Sequence, residues 1–531
     1  GGMGGPITIG GANVTLNDSA TLSAQGGRGG TGGNGANGGT GGSGGSIEVS
    51  SGSLTINDGL ISVAGGVGGN PGLNGTSGAQ GTHGNIDITG GTFEMNGGEV
   101  FTGSFHRGSG GTFNFNDGKL TVSGGMLDPN ATTFTINGPS ALELPTLVLT
   151  DGATAPGVTG RFIVGNANRG RVEIFNGATL TSNNVDIGNS ATGSGEALVD
   201  GAGSTWTSTG VADLAVGESG TGVLTVSNGG LAESLDDFAV GRSDTANGTV
   251  HVESGGSISA GNWLSIGVNG TGEVNILPGS TATSTSHLRL GINGTGDGTL
   301  NVDGTGAVVD ANDSLNVGGT QSASGGTGAL NVSNTATVNV VDIIRNYTGG
   351  TIDVASGGSV TSTPAQAAPG VAGTNGNTLE TSGVIISTNG SIHIDGGEGG
   401  EIPGFFSTGG AGGSGGTLNA TGGSIDLAGT GQLTFDGGEG GGLGSCCDNS
   451  GGAGGAAGVL NLTSTAVSLD GSSTLAARGG DGGGGDGEGG ECQRLTVGVG
   501  ESGAVLEPLE EQAIACGGDG EREGFAQNAA A

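Results

Sequence analysis

Four cysteines, five histidines and a few close carboxylate pairs are the residues of this 531-residue chain whose chemistry could amount to a site. Cys446, Cys447, Cys492 and Cys516 all fall in the last fifth of the sequence, so none can staple its main body. A Cys-Cys pair with two distant partners could close disulfides outside the cytoplasm. No Cys-x-x-Cys or partnered His spacing supports zinc. Disulfide-forming or incidental cysteines are therefore expected, and the sequence does not fix their redox state. His83, His106, His251, His287 and His393 are scattered over separate segments. His251 is the outward residue of GTVHV, where neighbouring copies of the same pattern carry Thr or Asn, so an exposed surface histidine is expected there.

Glycosidase chemistry needs two carboxylates facing each other in a cleft. The densest candidates are Asp236 with Asp237 in SLDDF, and Asp310 with Asp313. Both pairs read as turn residues, where Asp bonds its own backbone. Lyase chemistry needs a base beside a bound cation, and Arg289 of LRLG is a candidate with no partner in sequence. GGDGGGGDGEGGE (479–491) has a superficial likeness to Gly/Asp calcium repeats but lacks their fixed apolar residue, and reads as a flexible acidic loop. Asn247, Asn269 and Asn293 begin Asn-Gly-Thr sequons, yet Asn-Gly is equally the turn chemistry of short strands. GGSGG (41–45) imitates a nucleophile elbow only because it sits in a glycine tract. No catalytic, cofactor-binding or metal-binding residue is assigned, and no cofactor is expected.

The formal charge of −36 argues against nucleic acid, which requires a basic stripe, and against an anionic bilayer surface. Such acidity fits a solvated surface, repulsion between neighbouring molecules, or loose binding of divalent cations. No apolar run is long enough to span a membrane as a helix. The opening GGMGGPITIGG lacks a basic and an apolar signal region, so an exported protein would be represented here by a processed or truncated piece. With 131 glycines and 3% aromatic residues, the chain cannot fill a wide core. Collagen is set aside because the strict Gly-X-Y period is missing.

What could position any of these residues is a repeat. From Arg161 to about Ser362 the pattern Gly-x-φ-x-φ, with φ apolar, recurs eight times: GRVEI at 170, GEALV at 195, GVLTV at 222, GTVHV at 248, GEVNI at 272, GTLNV at 298, GALNV at 328 and GTIDV at 350. Each copy is preceded by an apolar-x-apolar-Gly piece such as FAVG or LSIG. It is followed, after a turn, by a third piece with one apolar position: Leu180, Trp206, Ala232, Ile258, Ala282, Val308, Val338 and Val360. Period-two alternation marks strands with one dry face. The intervening residues are polar except Leu198. One copy is too short to form a sheet, so copies at a period of about 25 residues must stack as coils of a solenoid. Strands about 4.8 Å apart would then form aliphatic ladders inside and Thr, Ser and Asn ladders outside, with eight coils spanning roughly 40 Å. The fold class expected is all-β, a right-handed parallel β-helix with long Gly-rich loops. The eighth copy lacks the turn glycine, reading IIRN at 343–346, so an irregular coil is expected there.

The copies VDGAGSTWTS (199–208), LAVGESGTGVLTVSNGG (214–230) and LSIGVNGTGEVNI (264–276) resemble the repeat of autotransporter (type V secretion) passengers and of PEP-CTERM-associated exoproteins. The resemblance covers about two-fifths of the chain. It implies an exported, surface-displayed or matrix-like bacterial protein, and it implies no ligand.

Around this block the pattern loosens. Residues 1–125 read as a Gly-rich irregular solenoid segment with strand-like pieces between the tracts at 25–45 and 65–84. Those tracts are expected to be loops projecting from the coils. Residues 126–160, with Pro129, Pro139, Pro145 and Pro156, read as a joint, since Pro disfavours central strands. The regular block of 161–362 is followed by a linker at 363–383, a second Gly-rich solenoid segment at 384–480 and an acidic irregular tail at 481–531, which could reflect a frameshift.

The functional expectation is a bacterial surface-displayed or secreted structural or adhesin-like solenoid without catalytic activity, located outside the cell or on the outer membrane of a Gram-negative-type bacterium. Its partner would be a host or environmental polysaccharide or a surface protein. Alternatives are a β-helix carbohydrate-active enzyme, disfavoured by two Trp and one Tyr in the whole chain, and a matrix or biofilm component.

Overall fold

Alternation of buried and exposed residues along short strands dictates the architecture. The computed structural model describes residues 1–210, 213–364, 366–369, 371–401, 409–442 and 451–482. All four cysteines and nearly all of the acidic tail lie outside these residues. Among the described residues every regular element is a β-strand, and the named pairings are parallel. The chain is an all-β parallel β-helix. It divides into two units, Gly1–Asn339 with Arg345–Ser359, and Val340–Ile344 with the chain from Val360 onward.

In the first unit the eight Gly-x-φ-x-φ pieces stack in register. One inward column runs Val172, Ala197, Leu224, Val250, Val274, Leu300, Leu330, Ile352. A second runs Ile174, Val199, Val226, Val252, Ile276, Val302, Val332, Val354. All sixteen are buried, and each Val, Leu or Ile contributes about 1.5–3 kcal/mol of burial. Glycine heads each strand because the chain passes too close for a side chain: a Cβ on Gly248 would sit 2.1 Å from the Val216 carbonyl oxygen. The turn glycine of the preceding piece adds a left-handed backbone to the same close approach, as at Gly241, where φ is +69° and a Cβ would lie 2.2 Å from Thr271 O. On the outer face the expected amide ladder forms, with Asn301 Nδ2 donating to Asn275 Oδ1 and Asn331 Nδ2 to Asn301 Oδ1, both at 2.8 Å.

Two details differ from the sequence reading. The third-piece column continues from Ala282 to Val309, not Val308, because the strand Val308–Ala311 alternates with Val309 and Ala311 inward. In the eighth copy Asn346 fills an apolar inward position at 1% exposure, and Tyr347 takes the turn-glycine place, donating its amide to Val317 O at 2.8 Å. Through the proline-containing stretch the parallel pairing continues. Thr146–Thr150 pairs with the strands on either side, and Thr154–Val164 absorbs Pro156 through register shifts.

The glycine tracts leave the strand path as expected, but they are far from structureless. In the tract at 25–45, amides of Gly26, Gly29, Gly32, Gly35, Gly38, Gly41 and Gly44 donate to carbonyls of Ala64, Val67, Asn70, Leu73, Thr76, Ala79 and Thr82 of the next tract, at 2.8–3.0 Å. Donors recur every third residue, the period of a polyproline-II helix. Each tract runs out, turns and returns, and the return bonds the outward run through Gly39 to Gly30 O (2.7 Å) and Gly42 to Gly27 O (2.8 Å). Glycine allows the close packing: a Cβ on Gly38 would lie 1.9 Å from Gly69 O, and one on Gly69 1.9 Å from Gly30 O. The bonding replaces the missing side chains as the anchor. A local Gly-Gly-X triplet pattern, GGRGGTGGN, was the available signal.

The second unit repeats the plan. Leu379, Leu418 and Leu460 stack, as do Ile385, Ile425 and Val467, and Ile392, Leu433 and Leu475. Its glycine tracts bond with the same period, as in Gly396, Gly399 to Asp436 O and Glu439 O, both at 2.8 Å.

Candidate functional site

The short strands Leu214–Val216, Phe238–Val240, Leu264–Ile266, Leu288–Leu290 and Leu315–Val317 form a ladder in the first unit. The residue before each strand makes a column: Asp213, Asp237, Trp263, His287, Ser314. Backbone bonds link its members, since Leu214, Phe238, Leu264 and Leu288 amides donate to carbonyls of Asp237, Trp263, His287 and Ser314 at 2.8–3.0 Å. The outward centre of each strand forms a second column, in the order Ala215, Ala239, Ser265, Arg289, Asn316.

Stacking these two columns concentrates charge and aromatic surface. Arg242 Nη1 lies 2.9 Å from Asp213 Oδ2 and 3.3 Å from Glu218 Oε2. Those acids flank the strand of Ala215, so the arginine crosses the small residue, which is fully buried. The Arg289 guanidinium carbon sits 3.8 Å from the Trp263 ring centre, while Nη2 donates to Ser265 Oγ at 2.9 Å. His287 stacks near the same indole at 6.2 Å between ring centres, and its Nδ1 lies 3.2 Å from Asp313 and 2.9 Å from Ser314 Oγ. Asp237 Oδ1 accepts the Trp263 amide at 3.0 Å, and Asp236 accepts from Asn262 Nδ2 at 3.3 Å.

Burial pushes the Asp213 carboxyl up to about 6, with Asp237, Glu218 and Asp236 adding repulsion and Arg242 opposing. Burial also raises Asp237, and it lowers Arg289 against the pull of Asp237 and Asp213. In chemical terms the cluster sets a carboxyl raised by burial, Asp213, against the Arg242 guanidinium. In the family models, the curated proteins and the solved structures alike, the chain finds no match.

Of the residues singled out in the sequence, Asp236 and Asp237 lie between strands as expected, but their carboxylates bond Asn262 and Trp263 of the next coil, not their own backbone. Arg289 is not without a partner, because stacking brings Trp263 under it from the preceding coil. Asp310 departs from expectation: it lies within the strand Val308–Ala311, not in a turn, and accepts from Asn339 Nδ2 at 2.8 Å. Asp313 joins His287 instead. The remaining histidines are apart from this place. His83 Nδ1 accepts the Gly65 amide at 3.0 Å and its ring meets Phe101 edge-on. His106 lies 3.0 Å from Asp128, His393 bonds Thr434 at 2.7 Å, and His251 stands in the outward column between Thr225 and Asn275. Sequence reading passed over Asp213, Glu218, Arg242 and Trp263. Aligning the position before each apolar-x-apolar-Gly piece would have found Asp213 and Trp263.

Two depressions mark the surface elsewhere. One, of about 380 Å³, lies on the outer face between Arg171, Glu196, Leu198 and Val223. The other, about 160 Å³, lies in the second unit by Glu398, Glu401 and Glu439. Among the described residues no three His, Cys, Asp or Glu side chains are grouped to hold a metal ion, and no helix is long and apolar enough to cross a membrane.

Proposed function

We propose that this chain is a structural, adhesin-like β-solenoid displayed on or secreted from a Gram-negative-type bacterium, of the kind found in autotransporter passengers and PEP-CTERM-associated exoproteins. The observation that carries this reading is where the polar side chains are used. Asn275, Asn301 and Asn331 bond one another from coil to coil, and Arg242, Arg289 and His287 are engaged by neighbouring coils. Repetition serves stacking, and an acidic exterior keeps neighbouring molecules apart. Affinity for a polysaccharide or surface protein would reside in the outward strand faces and glycine tracts, and loose divalent cations would meet the acidic exterior. The test is to express the complete reading frame and treat intact cells with protease. Digestion of this segment on intact cells, or its recovery from the medium, supports the proposal; full protection until lysis overturns it.

A second reading rests on Asp213. A carboxyl raised to about 6 with Asp237 on the next coil is the raw material of a glycosidase. Sugar release from a polysaccharide panel that disappears in Asp213→Asn would establish that reading over the first.

A further inference from the structure

One string occurs on two consecutive coils and is held differently on each. Asn269-Gly270-Thr271-Gly272 and Asn293-Gly294-Thr295-Gly296 are identical, and each begins two residues after the turn glycine of its coil, Gly267 or Gly291. Their starts coincide in space, since the Asn293 amide donates to Val268 O at 3.0 Å and Asn293 Nδ2 to Asn269 Oδ1 at 2.8 Å. Their ends do not. Thr271, two positions after Asn269, pairs with Asp297, four positions after Asn293. The surplus on the second coil is thrown out as an exposed turn, closed by the Gly296 amide donating to Asn293 O at 2.8 Å.

The detour changes the surroundings of the glycine. Gly270 is buried, its amide donates to Gly241 O at 3.2 Å, and a Cβ there would lie 2.3 Å from Ser243 O. The carboxamide beside it is held twice: Asn269 Nδ2 donates to Arg242 O at 3.0 Å, and Oδ1 accepts from Asn293. Gly294 is exposed, and among the described residues its amide has no acceptor. A Cβ on it would meet nothing within 4 Å, and its φ is not left-handed. Neither packing nor backbone conformation calls for glycine at 294, yet glycine leaves that nitrogen with no side chain to shield it. The third Asn-Gly-Thr string is protected in another way, because Gly248 is buried within the strand Asn247–Glu253.

We propose that Asn293 is a site of spontaneous deamidation, a slow covalent modification that this turn permits and that the fold withholds from Asn269. The Gly294 nitrogen attacks Asn293 Cγ. As the new C–N bond forms, the proton of that nitrogen passes to the carboxamide nitrogen, which leaves as ammonia, and the ring closes as a succinimide. Water, the sole co-reactant, adds to either ring carbonyl and breaks one C–N bond of the ring, leaving aspartate or isoaspartate. Nothing is oxidised or reduced. To react, the carboxamide gives up one exposed bond, to Asn269, and the Gly294 amide gives up none. The product has a local consequence. A carboxylate has no N–H to offer Asn269 Oδ1, so the outer bridge running from Arg242 O through Asn269 to Asn293 is cut at its last link.

The experiment is to age the full chain at mildly alkaline pH, folded and in denaturant, and to quantify aspartate and isoaspartate at both asparagines by peptide mass spectrometry. In the folded chain Asn293 should convert roughly tenfold faster than Asn269, the factor that one hydrogen bond of ordinary net strength makes in a rate. In denaturant the two rates should converge, because the local sequence is the same. Gly294→Ala puts its methyl group into open space, so circular dichroism and melting should match the parent. It should slow conversion of Asn293 and leave Asn269 unaffected. Equal rates in the folded chain overturn the proposal, as does a Gly294→Ala variant that converts as fast as the parent. Recovery of Asn293 carrying a glycan, for which its string is also the acceptor pattern, would likewise overturn it.

Discussion

Arg289 stands directly over Trp263, its guanidinium carbon 3.8 Å from the ring centre, although the two are 26 positions, one turn of the solenoid, apart in sequence. The pair fastens consecutive coils on the outer face, where the aliphatic ladders cannot reach. Arg289→Ala should destabilise these coils by about 1–2 kcal/mol, and Arg289→Lys should restore only part, because an ammonium loses the planar stacking. Urea unfolding followed by Trp fluorescence measures both variants.

Val226 and Ile276 lie in the same inward column at 0% exposure. Replacing either with Asp places an unpaired carboxylate between aliphatic neighbours and should cost at least ~3 kcal/mol. In a solenoid the loss spreads to adjacent coils. Hydrogen exchange should show faster exchange in the strands on either side, and unchanged melting would contradict the stacked register.

The corrected register at the sixth third-piece strand gives a sharper comparison. Val309 is 1% exposed while Val308 lies on the outer face of its strand. Val309→Asp should lower the melting temperature strongly, and Val308→Thr should leave it nearly unchanged. The reverse order would restore the register expected from sequence.

Asp213 carries a pH dependence of definite sign. Its folded value, about 6, exceeds the ordinary 3.8, so the folded state holds the proton more tightly. That contribution to stability is complete below 3.8 and is lost as pH rises through about 6. Asp237 and Asp186, both raised chiefly by burial, act in the same direction. Melting temperatures across this window should fall with rising pH, and Asp213→Asn should flatten the fall. An equal slope in that variant would remove Asp213 as its source.

The glycine tracts predict protection where composition suggests none. Amides of Gly29, Gly38 and Gly41 are bonded at 2.9 Å and should exchange slowly. Gly38→Ala, whose Cβ would lie 1.9 Å from Gly69 O, should abolish that protection across both tracts while the ladder strands stay protected.

The sequence by itself determined the coil. Alternation in GVLTV, GEVNI and their relatives states which residues face inward, and a period too short for an independent sheet leaves stacking as the way to bury them. Glu173, Thr225 and Asn301 were legible as outward for the same reason. The acidic exterior and the turn glycines followed from composition and steric limits on φ. Tertiary structure decided what depends on distance between coils. Arg289 meets Trp263, and Asp213 meets Arg242, only because parallel stacking puts residues one repeat apart within about 4.8 Å of each other, a juxtaposition set by register. The off-by-one at Val309 shows how a single residue of register exchanges the two faces of a strand. The glycine bundles show the same limit from the other side. Their order comes from backbone hydrogen bonds between segments, which no side-chain pattern records.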